Sequence, residues 1–253
     1  MALSKQEVID KILSFDYQGL AQWIESRLHG DDGYFPIYEG YETNLSKFLS
    51  ESFHHIKEKN FRENFLEILY DLTIDLWGYT EDKVKENQEY IYELLSLCGR
   101  IEKFKRKNAL YRIARSGKLK GFSAYNRDLH LMLLRALASY QSAGDCDFWI
   151  EQMKDDSNKY YANAAFYALL NRKYRLDILF QHINIFIDRF KGEIDLVWGI
   201  RALIEDYGKE EILNRFKKIE TKLSQQQKEA VNHALIEADY EPVYKLRTVE
   251  SLL

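Results

Sequence analysis

Nine basic residues fall within one short segment of the sequence: Arg100, Lys103, Lys105, Arg106, Lys107, Arg112, Arg115, Lys118 and Lys120. Only Glu102 opposes them, so the segment carries +8 and leaves −12 on the rest of a chain of net charge −4. Charge segregated in this way steers an acidic partner, either a nucleic acid or an acidic protein surface. Arg112 and Arg115 stand three apart beside Tyr111, and a helix puts residues at that spacing on one face. Arg106, Lys107, Arg112, Arg115, Lys118 and Lys120 are therefore the candidate partner-binding residues. The competing structural reading is a solvated helix and loop whose bases pair with acids of neighbouring helices.

Other chemistry-bearing residues point to structure. The six histidines are His29, His54, His55, His130, His182 and His233. A helical zinc site needs two histidines one turn apart with a carboxylate base between them. His54 and His55 are adjacent and diverge by about 100° on a helix. Acidic pairs occur at Asp31-Asp32, Asp145/Asp147 and Asp155-Asp156. All fall in predicted turns or helix starts, where carboxylates accept bonds from free N–H groups. Phosphate loop, dinucleotide fingerprint and nucleophile elbow are all missing from the sequence. No catalytic residue, metal or cofactor is expected. Cys98 and Cys146 stand far apart and read as reduced, packed thiols. The four tryptophans, at 23, 77, 149 and 198, are spread along the chain and read as core anchors.

The elements that must carry these residues are helices. Of the 253 residues, 46% are hydrophobic and 14% aromatic, with only 2 prolines and 12 glycines to break regular structure. A β-rich chain of this length needs more turn residues. Helical periodicity predicts about thirteen helices. Ser4 with Glu7 and Ser224 with Gln227 form capping boxes, and Thr80 caps a helix that reaches Cys98 and stops at Gly99. Ser123 or Asn126 caps the helix that runs to about Ser142. A helix over 194–207 is followed by Gly208 and another from Lys209 to Leu223. The Tyr34–Tyr41 segment is a loop, and its Tyr34 and Tyr38 are further candidate contacts. No strand is expected.

One short signature recurs: Arg135-Ala136-Leu137, Tyr167-Ala168-Leu169 and Arg201-Ala202-Leu203. Each copy precedes a turn and a second apolar helix, as in a repeating helical hairpin. Over about residues 125–223 the chain resembles the HEAT or armadillo class of helical repeats. The resemblance implies an all-α, right-handed α-solenoid of antiparallel helix pairs. The expected organisation is one elongated helical domain over 1–253. Residues 1–121 would form degenerate pairs, 122–239 the regular repeats and 240–253 a tail. In size and helix count the chain is also similar to HEAT-like DNA alkylpurine glycosylases. Those enzymes use tryptophans and an aspartate on a concave basic surface. Trp198 and Asp195 can share a helical face here, but no motif residue carries over.

These readings converge on a non-enzymatic scaffold or adaptor binding another macromolecule, first of all a protein. The alternative is a nucleic-acid-binding, glycosylase-like protein using residues 100–120, although the acidic balance (pI about 5.9) opposes it. A homo-oligomer is a third expectation. No basic leader with an apolar core and no membrane span is legible, so a cytoplasmic protein is expected.

Overall fold

Helices supply nearly all regular structure among residues 70–100, 108–138, 145–170 and 176–244, which are those the computed structural model describes. Contacts divide the chain into two compact units, Met1–Tyr140 and Gln141–Leu253.

In the first unit, a helical segment over 70–77 leads through Gly78 to α1 (Glu81–Glu86). Thr80 caps α1 as expected, its hydroxyl accepting from the Lys83 N–H at 3.3 Å. The single helix expected to reach Cys98 is broken at Asn87 and resumes as α2 (Gln88–Arg100). Asn87 closes the first piece by donating its side-chain amide to the Lys83 carbonyl at 2.8 Å. Such local bonds compete with helix continuation. Gly99 does not stop α2; it lies inside it. A Cβ there would sit 3.1 Å from Ala136 Cα, so the absence of a side chain permits a close helix crossing.

Next come α3 (Asn108–Ser116), a turn, and a two-residue antiparallel pair, β1 (Ser123–Ala124) with β2 (Arg127–Asp128). The pair corrects the expectation of no strand. Tyr125 and Asn126 occupy its turn with φ of 50° and 58°, the left-handed conformation of a tight hairpin. They begin no helix, and neither Asn126 nor Ser123 is the cap. Asp128 takes that role: its carboxylate accepts from the Leu131 N–H at 2.7 Å and starts α4 (Leu129–Ala138). Ala136 is buried and meets Gly99, so α4 packs tightly on α2.

The second unit contains α5 (Cys146–Lys154), α6 (Lys159–Leu170), α7 (Leu176–Phe190), α8 (Ile194–Tyr207) and α9 (Lys209–Lys218). A 3-10 turn (Glu220–Lys222) and α10 (Gln225–Glu237) complete it. α7 buries Leu176, Leu179, Phe180, Ile183, Phe186, Ile187 and Phe190, a broad apolar stripe at helical spacing. Each helix from α5 to α9 packs on the next, and α10 lies against α7 and α8. The Ser224–Gln227 capping box is present in full. Gln227 also reaches the Asn184 carbonyl at 3.2 Å, which ties the start of α10 to α7.

The unit centres on stacked rings. Phe166 and Phe186 lie 4.0 Å apart at 17°, and Phe190 adds a third ring 4.9 Å from Phe186. Gly199 of α8 faces them, and a Cβ there would sit 2.8 Å from Phe186 Cε1. Ala168 is buried and Ala202 half-buried. The narrowest crossing of α8 therefore belongs to Gly199, outside the repeated signature.

Beyond α10 the chain folds back. Buried Asn232 accepts from the Val243 and Tyr244 N–H groups, both at 3.0 Å, and donates to the Tyr244 carbonyl at 2.8 Å. The Tyr244 hydroxyl donates to the Phe216 carbonyl at 3.1 Å.

Two stability predictions arise here. Gly199→Ala gains helix propensity of about 1 kcal/mol but drives a methyl into a ring fixed on both sides. Overpacking of about 1–3 kcal/mol makes the variant less stable, read as a lower denaturant midpoint. Asn232→Ala removes three bonds and leaves buried N–H groups unmatched, at a cost of about 2–4 kcal/mol. Limited proteolysis should then cut within 240–244 well below the melting temperature.

Candidate interaction surface

The basic segment divides by what each side chain does. α3 buries Ala109, Leu110, Tyr111, Ile113 and Ala114, which turns Arg112 and Arg115 outward; both are exposed. The Arg115 guanidinium stands 5.9 Å from the Tyr111 ring centre. Gly117, at φ 66°, reverses the chain after α3, and buried Leu119 anchors the turn.

Lys118 has an intramolecular role. Its ammonium donates to the Trp77 carbonyl and lies 5.1 Å from the Trp77 ring centre. Carbonyls at a helix end lack intrahelical partners and attract a cation. Lys118 therefore fastens the turn to the segment over 70–77. Lys120 is exposed. Arg112, Arg115 and Lys120 thus form the outward basic face. Arg106, Lys107, Tyr34 and Tyr38 lie outside the described residues.

The tryptophans correct an expectation. Trp149 is buried as an anchor, but Trp77 is 41% and Trp198 53% exposed; Trp23 lies outside the described residues. Trp77 neighbours exposed Ile74 one turn earlier. Asp195 accepts from the Asn163 side chain at 2.7 Å, which ties α8 to α6 next to exposed Trp198 and Ile194. Lys159 and Glu193 form a second link at 2.6 Å. Burial, then the Asp195 charge, raises the Tyr167 hydroxyl above the usual tyrosine range.

Of the turn acids, Asp155 has the role expected of it, Asp145 makes no side-chain cap bond to α5, and Asp31 and Asp32 lie outside the described residues. Asp155 accepts from the Ser157 N–H at 2.9 Å and from its hydroxyl at 2.6 Å. Arg189 donates to the Asp155 carbonyl at 2.6 Å and to the Asp156 carboxylate at 2.5 Å. His130 is buried in α4. His182 is pushed below the usual histidine range by burial and then by Lys154. His233 is exposed 3.8 Å from Glu237. Among the described residues, no group of three or more His, Cys, Asp or Glu residues is placed to hold a metal ion. No described helix is long and apolar enough to cross a membrane.

A groove of about 350 Å³ in the second unit was not singled out in the sequence. Phe180 and Ile219 supply its apolar lining, Lys218 and Lys222 its cations, and Asp177, Gln181 and Arg215 its rim. Arg215 donates through Nη1 to Asp177 at 2.5 Å and through Nε to Glu211 at 2.6 Å. Its guanidinium stands 5.7 Å from the Phe180 ring centre. The one available signal was the run of Arg215, Lys217, Lys218 and Lys222, which is shorter and less segregated than the segment before Lys120.

No family model matches the chain, and no curated protein or solved structure matches it either.

Both cysteines are free, Cys98 buried and Cys146 half-exposed. Burial raises the Cys98 thiol to about 12, so it carries almost no thiolate near neutral pH. A thiol reagent at pH 8 should modify Cys146 in the native protein and Cys98 only after denaturation. Mass spectrometry of the labelled peptides reads the order directly.

Proposed function

We propose that the chain is a non-enzymatic helical scaffold that binds a protein partner with an acidic surface. The observation that carries this reading is the outward basic face of Arg112 and Arg115, set on a helix whose other side is buried, with exposed Lys120 in the turn that follows. A helix that holds cations on its outward face suits electrostatic docking. Arg112 forms no ion pair among the described residues. Exposed Trp77 stands beside Lys118 and, with exposed Ile74 of the same helical segment, adds the aromatic and aliphatic area that protein interfaces favour. The architecture assumed is a right-handed α-solenoid of helix pairs, similar to HEAT repeats. Successive packing of α5, α6, α7 and α8 supports it.

The test uses partners captured by the full chain from its native host after nuclease treatment. Binding is then measured with each purified partner across salt concentrations. Arg112→Glu with Lys120→Glu should weaken it about tenfold, equivalent to 1.4 kcal/mol, and flatten its salt dependence. Affinity indifferent to both the charge reversal and salt would falsify the reading. Capture that nuclease abolishes would move the function to nucleic acid, where phosphate contacts impose a steep salt slope.

A further inference from the structure

The groove bounded by α7, α9 and the 3-10 turn has a charge balance that a simple residue count conceals. Asp177 and Glu211 both engage Arg215, at 2.5 and 2.6 Å. One guanidinium against two carboxylates leaves this wall with a net charge of −1. Asp177 is the only acid lining the groove among the described residues, and its charge is already committed to Arg215. Lys218 and Lys222 form no ion pair among the described residues, and both are exposed. Their two positive charges exceed the −1 of the wall, so the groove is net positive.

Its floor is apolar and rigid. Phe180 is buried, and its ring meets Phe216 edge-on at 5.2 Å. Phe216 is fully buried and carries the Tyr244 bond on its carbonyl. Half-buried Ile219 adds aliphatic surface at the end of α9. The Arg215 guanidinium is held by its two carboxylates near the Phe180 ring, and a planar guanidinium is a good stacking surface for an aromatic guest. Gln181 adds an amide able to donate to or accept from a passing backbone. A volume of about 350 Å³ lies at the small end of ligand-sized clefts. It accommodates one large side chain with its flanking backbone.

We propose that this groove receives an acidic segment of a protein partner that presents one aromatic side chain. The ring would rest on Phe180 and Ile219 beside the guanidinium of Arg215. Flanking carboxylates would meet Lys218 and Lys222. The assignment rests on the protein-binding reading above, but it names a different surface and a more specific guest.

The full chain is titrated into three fluorescent peptides by anisotropy. One has a phenylalanine between aspartates and glutamates, the second has glycine for phenylalanine, and the third has lysines for the acids. The first should bind saturably, the second at least about fivefold more weakly, and the third not at all. Lys218→Gln with Lys222→Gln should weaken the first about tenfold and leave the melting temperature unchanged, since both side chains are exposed. Arg112→Glu with Lys120→Glu should leave this peptide's affinity unaltered. That separates failure of the groove from failure of the basic face.

No saturable binding of the first peptide up to about 1 mM overturns the assignment. Equal binding of the first two peptides, or indifference to the lysine variants, does so as well. An oligodeoxythymidine probe that binds more tightly than the first peptide and is lost with the same lysines overturns it in favour of phosphate recognition.

Discussion

The second unit depends on one close approach. Gly199 lets α8 settle against the ring of Phe186, which is itself stacked on Phe166. Three helices therefore share a single point of contact, and α7 is held at a defined rotation. That rotation has consequences at the far end of the same helix. Phe180 is turned toward α9, where it meets Phe216. The Phe216 carbonyl receives the Tyr244 hydroxyl, and Tyr244 is held by Asn232. One line of contacts thus runs from the ring stack to the chain folded back over α10. Core packing has little slack, so disturbance at Gly199 is felt along this line.

The elements were legible where local chemistry decides them. Ser224 and Gln227 specify their capping box within four residues. The helix over 194–207 ends at Gly208, whose φ of 87° is a positive value that glycine adopts without a side-chain penalty. Elsewhere tertiary context overrode local signals. Gly99 reads as a stop by itself, yet it continues a helix because Ala136 needs its missing side chain. The break at Asn87 has no proline or glycine to announce it. The hairpin around Tyr125 lacks the Asn-Gly or Asp-Gly pair that marks such turns. Tyr125 instead sets its ring edge-on to Tyr92 at 5.3 Å, a contact no local window contains.

The basic face was legible because its residues lie close together in sequence; the groove was not, because its residues span Asp177 to Lys222. Only packing of α7 on the following helices brings them together. Even the legible charge run overstated the number of outward cations. Lys118 is occupied by the Trp77 carbonyl, just as Lys159, Arg189 and Arg215 are occupied by Glu193, Asp156 and Asp177. Partly exposed pairs of this kind add little stability. They do decide which cations stay available, and a linear count of lysines and arginines does not distinguish the two groups.

The available cations are few, so charge alone is a weak basis for specificity here. At physiological ionic strength screening acts over about 8 Å. Lys218 and Lys222 can therefore favour an acidic approach without choosing among acidic partners. Discrimination has to come from groups already placed for the guest, and the groove has those in Phe180 and Arg215. Arg215 is fixed by two carboxylates and Phe180 by the packing that begins at Gly199. An aromatic guest meets both surfaces without first having to order either one. Binding loses free energy whenever side chains must be immobilised, so the groove's selectivity for an aromatic guest derives from the same close approach that sets the rotation of α7.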